Sequence, residues 1–205
     1  MISGKILGTD FFKRDTVEVA KNLLGKKIIR NISGNFFCAK IVETEAYLGL
    51  NDRACHSYGG NITKRNEILY REGGTIYVYL IYGMYNLFNI VTRDEGEPEA
   101  VLIRAVEPIE NIDGIAINRF GKNFKNLSTY QKKNLTNGPG KLAMALSIDR
   151  SLNGKILSKD YLFIEDGEEV KNIITAKRIG IDYAEEYANL PLRFYIGDNP
   201  YVSVK

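Results

Sequence analysis

"IVETEAYLGLNDRACHS", residues 41–57, joins two carboxylates, a tyrosine and the only histidine of the chain. Counted from Cys38, the stretch alternates as a β-strand does, with successive side chains on opposite faces. The alternation predicts Ala39, Ile41, Glu43, Glu45 and Tyr47 on one face. Cys38, Lys40, Val42, Thr44, Ala46 and Leu48 fall on the other. Two acids at i and i+2 would then look into one space, roughly 7 Å apart between Cα atoms. Burial beside Ile41 and Tyr47 would raise a carboxylate pKa, and a nearby arginine would lower it.

The sequence offers such an arginine. Arg104 lies in "VLIRAV" (101–106), mid-strand among apolar neighbours, where an unpaired cation is costly. Two readings are open. Arg104 and one glutamate form a buried structural pair, or the three together form a reactive site.

Working outward, the neighbouring segments read as hairpins and a few helices. "DTVEVAKNLLG" (15–25) predicts a helix capped by Asp15, with Glu18 completing a capping box and Gly25 ending it. "KKIIRNI" predicts a strand, "SGN" a turn. "GGTIYVYLIYGMYNLFNIVTR" (73–93) predicts two strands around a reversal near Tyr82–Tyr85, where Gly83 can take positive φ. "EAVLIRAVEPIE" (99–110) predicts a strand interrupted by Pro108. The segment 111–135 is polar and lysine-rich, without firm periodicity. "GPGKLAMALSID" (138–149) predicts a helix entered through Pro139, and "LPLRFYIGDNPYVSVK" (190–205) predicts strand, turn, strand. Strands outnumber helices and pair locally. The predicted class is α+β: a single domain over 1–205 with a curved, largely antiparallel sheet, helices around it and a protruding hairpin.

Composition bounds the function. At 205 residues and 44% hydrophobic, the chain is ordinary globular protein with enough length for a core. A net charge of +3 permits a nucleic-acid partner without demanding one. Two cysteines and one histidine leave little for a transition metal, so a metal site would need carboxylates. No signal-peptide shape or membrane-spanning run is present, which fits a protein of a reducing cytoplasm.

Three further groups carry possible chemistry. Tyr82, Met84 and Tyr85 crowd a turn, where side chains are usually polar; apolar tips of this kind can wedge between base pairs. His56 precedes "SYGG" in a loop, where its imidazole could line a pocket or serve structure alone. Lys64 and Arg65 in "NITKRNE", and Lys141 after "GPG", could meet phosphates; a solvated loop is the plainer reading for the first two.

In order along the chain, "LGTDFF", "VETEAYLG", "ACHSYGG", "KRN", "GTIYVYLIYGMYNLFNIV", "AVLIRAVEP", "NGPGKL" and "PLRFYIGDNPYVSV" resemble the alkyladenine (3-methyladenine) DNA glycosylase family, in the short bacterial form. The resemblance covers about residues 6–204. It implies a monofunctional base-excision repair hydrolase that flips an alkylated or deaminated purine out of duplex DNA and leaves an abasic site, with neither a metal nor an organic cofactor. By position, Glu45 resembles the base that activates water, and Arg104 the arginine that holds it. Tyr47 resembles one wall of the base pocket, with His56 and Tyr79 opposite. Asn89 resembles the pocket asparagine that disfavours the 2-amino group of guanine. Tyr82 resembles the residue that fills the stack, with Met84 and Tyr85 supporting it. Lys64 stands where the family has proline, and Met144 where glutamine is frequent. The expected partner is damaged double-stranded DNA, met by a cytoplasmic monomer that associates with the nucleoid when bound and has no membrane contact. Two alternatives remain: a catalytically silent DNA-binding module, and a carbohydrate hydrolase using Glu43 and Glu45 as its pair.

Overall fold

A strand of thirteen residues organises the molecule. In the computed structural model, which describes residues 4–204, this strand is β2 (Asn35–Tyr47). It follows β1 (Lys27–Ile32) through a two-residue turn in which Ser33 and Gly34 both have positive φ, matching the strand twist of a tight hairpin. Along one edge β2 pairs with β5 (Glu99–Glu110). Along the other it pairs first with β1 and then with β8 (Arg193–Ile196). The sheet runs β3 (Ile76–Ile81), β4 (Tyr85–Thr92), β5, β2, β1, β6 (Leu162–Glu165), while β7 (Ile173–Ala176) extends it from β8. Every named pairing is antiparallel.

The fork from β1 to β8 coincides with a break in alternation. The register with β5 slips on either side of Glu43, leaving Val42 on one strand and Arg104 on the other without a directly opposed partner. The predicted two faces therefore hold only up to Ile41. Ala39 and Ile41 pack in the main core together with Ala46, and the Thr44 hydroxyl donates to the Ala20 carbonyl at 2.8 Å. Val42 instead joins Ala105, Tyr195 and Val202 on the other side. Glu43 and Glu45 thus change sides relative to Ile41. A bulge re-aims the side chains beyond it, which simple counting does not foresee.

Among the described residues five α-helices surround the sheet: α1 (Thr9–Phe12), α2 (Thr16–Asn22), α3 (Ile112–Phe120), α4 (Thr129–Lys133) and α5 (Pro139–Ala145). Asp15 caps α2 by accepting from Val17 and Glu18 N–H, but Glu18 does not return the bond, so no capping box forms there. The capping box lies at α4, between Ser128 and Gln131. Helix α3 falls in the segment without firm periodicity. It buries only Ile115 and Ala116 fully, and the Asn111 side chain starts it by accepting from Gly114 N–H.

Two further expectations change. β5 continues through Pro108, which is opposite Ala39; one extra residue, Ile109, is absorbed by a register slip. Proline is tolerated at such an irregularity because no ladder hydrogen bond is asked of it. Beyond β8 the described residues to Val204 form no second strand. They fold back instead, so that Ser203 meets Glu43. Lys205 lies outside the described residues.

The β3–β4 hairpin projects from the sheet edge. Its base is covered: Ile76 N–H donates to Lys155 O, and Val78 N–H to the Asn153 side chain. Its tip is not. Ile81 faces Tyr85 across Tyr82, Gly83 and Met84, with Tyr82 and Gly83 both left-handed at φ 52° and 69°. Behind the tip Tyr85 packs on Gly140 of α5, where a Cβ would come within 3.1 Å of the Tyr85 side chain.

Candidate active site

The fork in the sheet places two buried glutamates between arginines of both flanking strands. Glu43 is fully buried. Its Oε1 lies 3.1 Å from Arg104 Nε and 3.0 Å from an Arg193 terminal nitrogen. Ser203 donates to it twice, from N–H at 2.7 Å and from Oγ at 2.9 Å. Arg193 also donates to the carbonyls of Lys177 and Val204. Glu43 therefore fastens β5, β8 and the C-terminal segment together, and its oxygens are spent.

Glu45 is equally buried but differently held. Its Oε1 accepts from Ile179 N–H at 2.8 Å and stands 3.2 Å from Arg104. Its Oε2 accepts from the Tyr47 hydroxyl at 2.9 Å. Burial pushes the Glu45 carboxyl above its ordinary range, while Arg104, the Ile179 N–H and Tyr47 pull it back without cancelling the rise. A carboxylate so placed is a stronger base than one in water, and three donors fix its orientation. Arg104 serves both glutamates, so the structural pair and the reactive-site member are one residue.

Tyr47 links Glu45 to a narrow cleft of about 20 Å³, far below the usual range for ligand pockets of about 300–1,000 Å³, so its aromatic walls stand nearly closed on one another. Tyr47, His56, Tyr77, Tyr79 and Asn89 line it, with Cys55 and Leu69 deeper. His56 meets Tyr79 edge-on, with ring centroids 4.5 Å apart, and Tyr77 lies 5.4 Å from Tyr79. Burial and then Arg65 push the His56 imidazole down to about 4, so it is neutral. Burial first, and other groups after it, push the Tyr47, Tyr77 and Tyr79 phenols up, so they stay protonated. The His56 backbone N–H donates to no group among the described residues.

Asn89 lies opposite Tyr77 on the hairpin. Its amide nitrogen donates to the carbonyls of Tyr77 and Leu87, at 3.2 and 3.3 Å. Asn89 thus both ties the hairpin backbone and lines the cleft.

The wall is braced from outside by residues that sequence reasoning missed. Arg178 is buried and grips Asp52 with two nitrogens, at 2.5 and 2.8 Å. Its guanidinium carbon sits 4.8 Å from the Tyr47 ring centroid. Asp52 in turn accepts from the N–H groups of Leu48 and Ala54, shaping the loop that carries His56. The acid-and-arginine pairing spans more than a hundred residues, and no local spacing announces it. Tyr77, two residues before Tyr79 on β3, also lines the cleft, and its hydroxyl lies 2.8 Å from His56 Nδ1.

At the hairpin tip Tyr82 is 85% and Met84 65% exposed, whereas Tyr85 is only partly so. Lys141 Nζ is held near this side by Asn134 and Asn137 side-chain oxygens at 2.7 and 2.8 Å. Lys64 is exposed in the turn before Asn66. Arg65 is turned inward at its tip and donates to His56 Nε2 at 3.2 Å, so the structure puts it beside the cleft. Met144 is half-exposed and accepts from Arg119 through sulfur, away from Glu45 and the cleft. Among the described residues no group of three His, Cys, Asp or Glu side chains is placed to hold a metal, and no helix is long and apolar enough to cross a membrane.

Comparison with known proteins adds an independent line. The family model for methylpurine-DNA glycosylase (MPG) matches residues 10–200. A protein of Clostridium novyi (strain NT), named "Putative 3-methyladenine DNA glycosylase", is 55% identical over 201 residues, covering 98% of this chain and all of the relative. A protein of the same name from Desulfitobacterium hafniense (strain Y51) is 53% identical over 202 residues, with 98% and 100% covered.

Proposed function

The chain belongs to the methylpurine-DNA glycosylase family, and from that premise we propose that it excises alkylated or deaminated purines from duplex DNA, with Glu45 activating the attacking water. The DNA glycosylase activity goes with the family; the residue roles are our reading of the site. The damaged nucleotide rotates out of the duplex, because its glycosidic bond is inaccessible inside the stack. The base enters between Tyr47 and the His56–Tyr79 wall. Electron-poor alkylated purines stack well on such rings. Tyr82 occupies the space left in the duplex, supported by Met84 and Tyr85. Lys64 and Lys141 meet flanking phosphates.

The observation that carries this reading is Glu45: fully buried, raised in pKa, and oriented by Arg104, Ile179 and Tyr47 beside an aromatic cleft. Glu45 takes a proton from water as the water oxygen bonds to C1′. The C1′–N bond breaks, and its electron pair leaves with the base. An alkylated purine that carries a positive charge departs neutral. The carboxylate also offsets positive charge developing on the sugar, as in glycoside hydrolysis. We take the chain to act as a monomer and as a single domain. Its substrate places it at the nucleoid of the cytoplasm.

A silent binding module would gain nothing from a buried carboxylate held by three donors. A two-carboxylate carbohydrate hydrolase would need Glu43 free, and Glu43 is fully engaged. The test is base release from duplexes each carrying 3-methyladenine, 7-methylguanine, hypoxanthine or ethenoadenine. Release of at least one base with an abasic product supports the proposal. Tight binding without release from any of the four would favour the silent module.

A further inference from the structure

Both ring nitrogens of His56, the only histidine, are engaged. Nδ1 stands 2.8 Å from the Tyr77 hydroxyl, and Nε2 stands 3.2 Å from an Arg65 terminal nitrogen. A guanidinium can only donate. Nε2 is therefore the acceptor, and the proton of the neutral ring is on Nδ1, directed at the Tyr77 oxygen. A proton on Nε2 would point at an N–H of Arg65. Arg65 is held in place by more than this contact: its guanidinium carbon lies 5.6 Å from the Tyr79 ring centroid, and the next residue, Asn66, donates from its side chain to the His56 carbonyl at 2.8 Å.

We propose that Arg65 is a positioning residue: by donating to Nε2 it fixes His56 as the Nδ1–H tautomer and keeps a second ring proton out of the cleft wall, so that a purine carrying the positive charge of alkylation is admitted as well as a neutral one. This rests on the reading of the cleft as the base pocket. An imidazolium there would face such a base as a like charge in a site largely shielded from water, where repulsion is strong. The other groups acting on this corner suit the same end. Tyr77 and Tyr79 from β3, Tyr183 from the 182–189 segment, and Cys55 beside His56 are all pushed up by burial first, and remain neutral. Glu45, whose charge is felt at Tyr79, is the carboxylate among them. The charge of Arg65 itself stays on an exposed residue at the rim.

The single imidazole makes the test clean. Long-range ¹H–¹⁵N NMR on the full chain reads the tautomer and charge of one ring without overlap. The wild type is expected to show a protonated Nδ1 and a bare Nε2, with the ring charging only near the low value that burial and Arg65 impose. Arg65→Ala removes the donor; the ring should then become a mixture of tautomers and charge at a higher pH, still below the ordinary histidine value because burial remains. Arg65→Lys keeps a donor and should restore the wild-type tautomer. A protonated Nε2 in the wild type, or an unchanged ring in Arg65→Ala, overturns the lock. The second arm compares single-turnover release of cationic 7-methylguanine with neutral hypoxanthine as pH falls. The ratio should hold in the wild type and fall several-fold in Arg65→Ala; a constant ratio overturns the selectivity. If the lock is seen but the wild type releases neither base, the reading of the cleft has failed together with the selectivity, while the lock stands.

Discussion

Replacing Tyr82 by glycine should leave the fold intact and selectively damage recognition. Tyr82 is 85% exposed, so almost no buried surface is lost on truncation. Its φ of 52° lies in the left-handed region, which costs an L-residue roughly 1–2 kcal/mol and glycine nothing. Against that relief stands the extra freedom glycine gives the unfolded chain, about 0.5–1 kcal/mol. The two nearly offset, so the melting temperature should stay constant or rise slightly. On the proposed function the ring stacks in the vacated space, and loss of such stacking costs about 1–3 kcal/mol. Lesion-specific affinity should therefore fall about 5- to 150-fold. Undamaged duplex, held through salt-sensitive phosphate contacts, should bind nearly as before. Fluorescence anisotropy with lesion and undamaged duplexes, beside a thermal melt, measures all three quantities. Equal losses on both duplexes would refute the wedge. A marked fall in melting temperature would refute the claim that Tyr82 carries no fold.

The raised pKa of Glu45 predicts an acid limb in the rate of base release. Because the ionised form is the base, activity should be lost as pH falls through a value above the ordinary glutamate figure of about 4.3. Single-turnover rates against pH should show this limb in the wild type and not in Glu45→Gln. Asn89→Ser should open the cleft beside the purine; release of undamaged guanine from mispairs should rise, with hypoxanthine release less affected, and a parallel drop in both would assign Asn89 to hairpin stability alone. Asp52→Ala leaves Arg178 buried with its charge partner gone. It should destabilise the fold by about 3–5 kcal/mol in chemical denaturation, and a loss under about 1 kcal/mol would show that the pair is not load-sharing.

The hairpins were legible because their signals are local: alternation, a two-residue turn at Ser33–Gly34, and Gly83 at the reversal. The exposed aromatic tip was legible for the same reason. The two-faced reading of residues 38–48 failed at Val42, because a bulge depends on the partner strands β5 and β8, which local sequence does not reveal. Helix α3 escaped because only two of its residues are deeply buried, so no apolar stripe marks it. At the site, the resemblance pointed to Glu45, Tyr47, His56, Tyr79, Asn89 and Arg104, and the fold brings these together. It gave no sign that Glu43 binds Arg193 and Ser203, or that Arg178 braces Tyr47, since those contacts join segments far apart in the chain. Arg65 read as a solvated loop residue able to meet phosphate; its contact with His56 was not legible, because a basic residue in a loop carries no sign of which neighbour it will meet.

The central claim is that Glu45 is the base. Its most direct test is single-turnover base release by Glu45→Gln on duplex DNA bearing a susceptible lesion, with binding to the same duplex measured in parallel. The substitution keeps size and hydrogen-bonding shape but removes the proton acceptor. Release should fall by on the order of 10²-fold or more, with lesion binding retained. Release at a near-normal rate by a variant that binds normally would contradict the account.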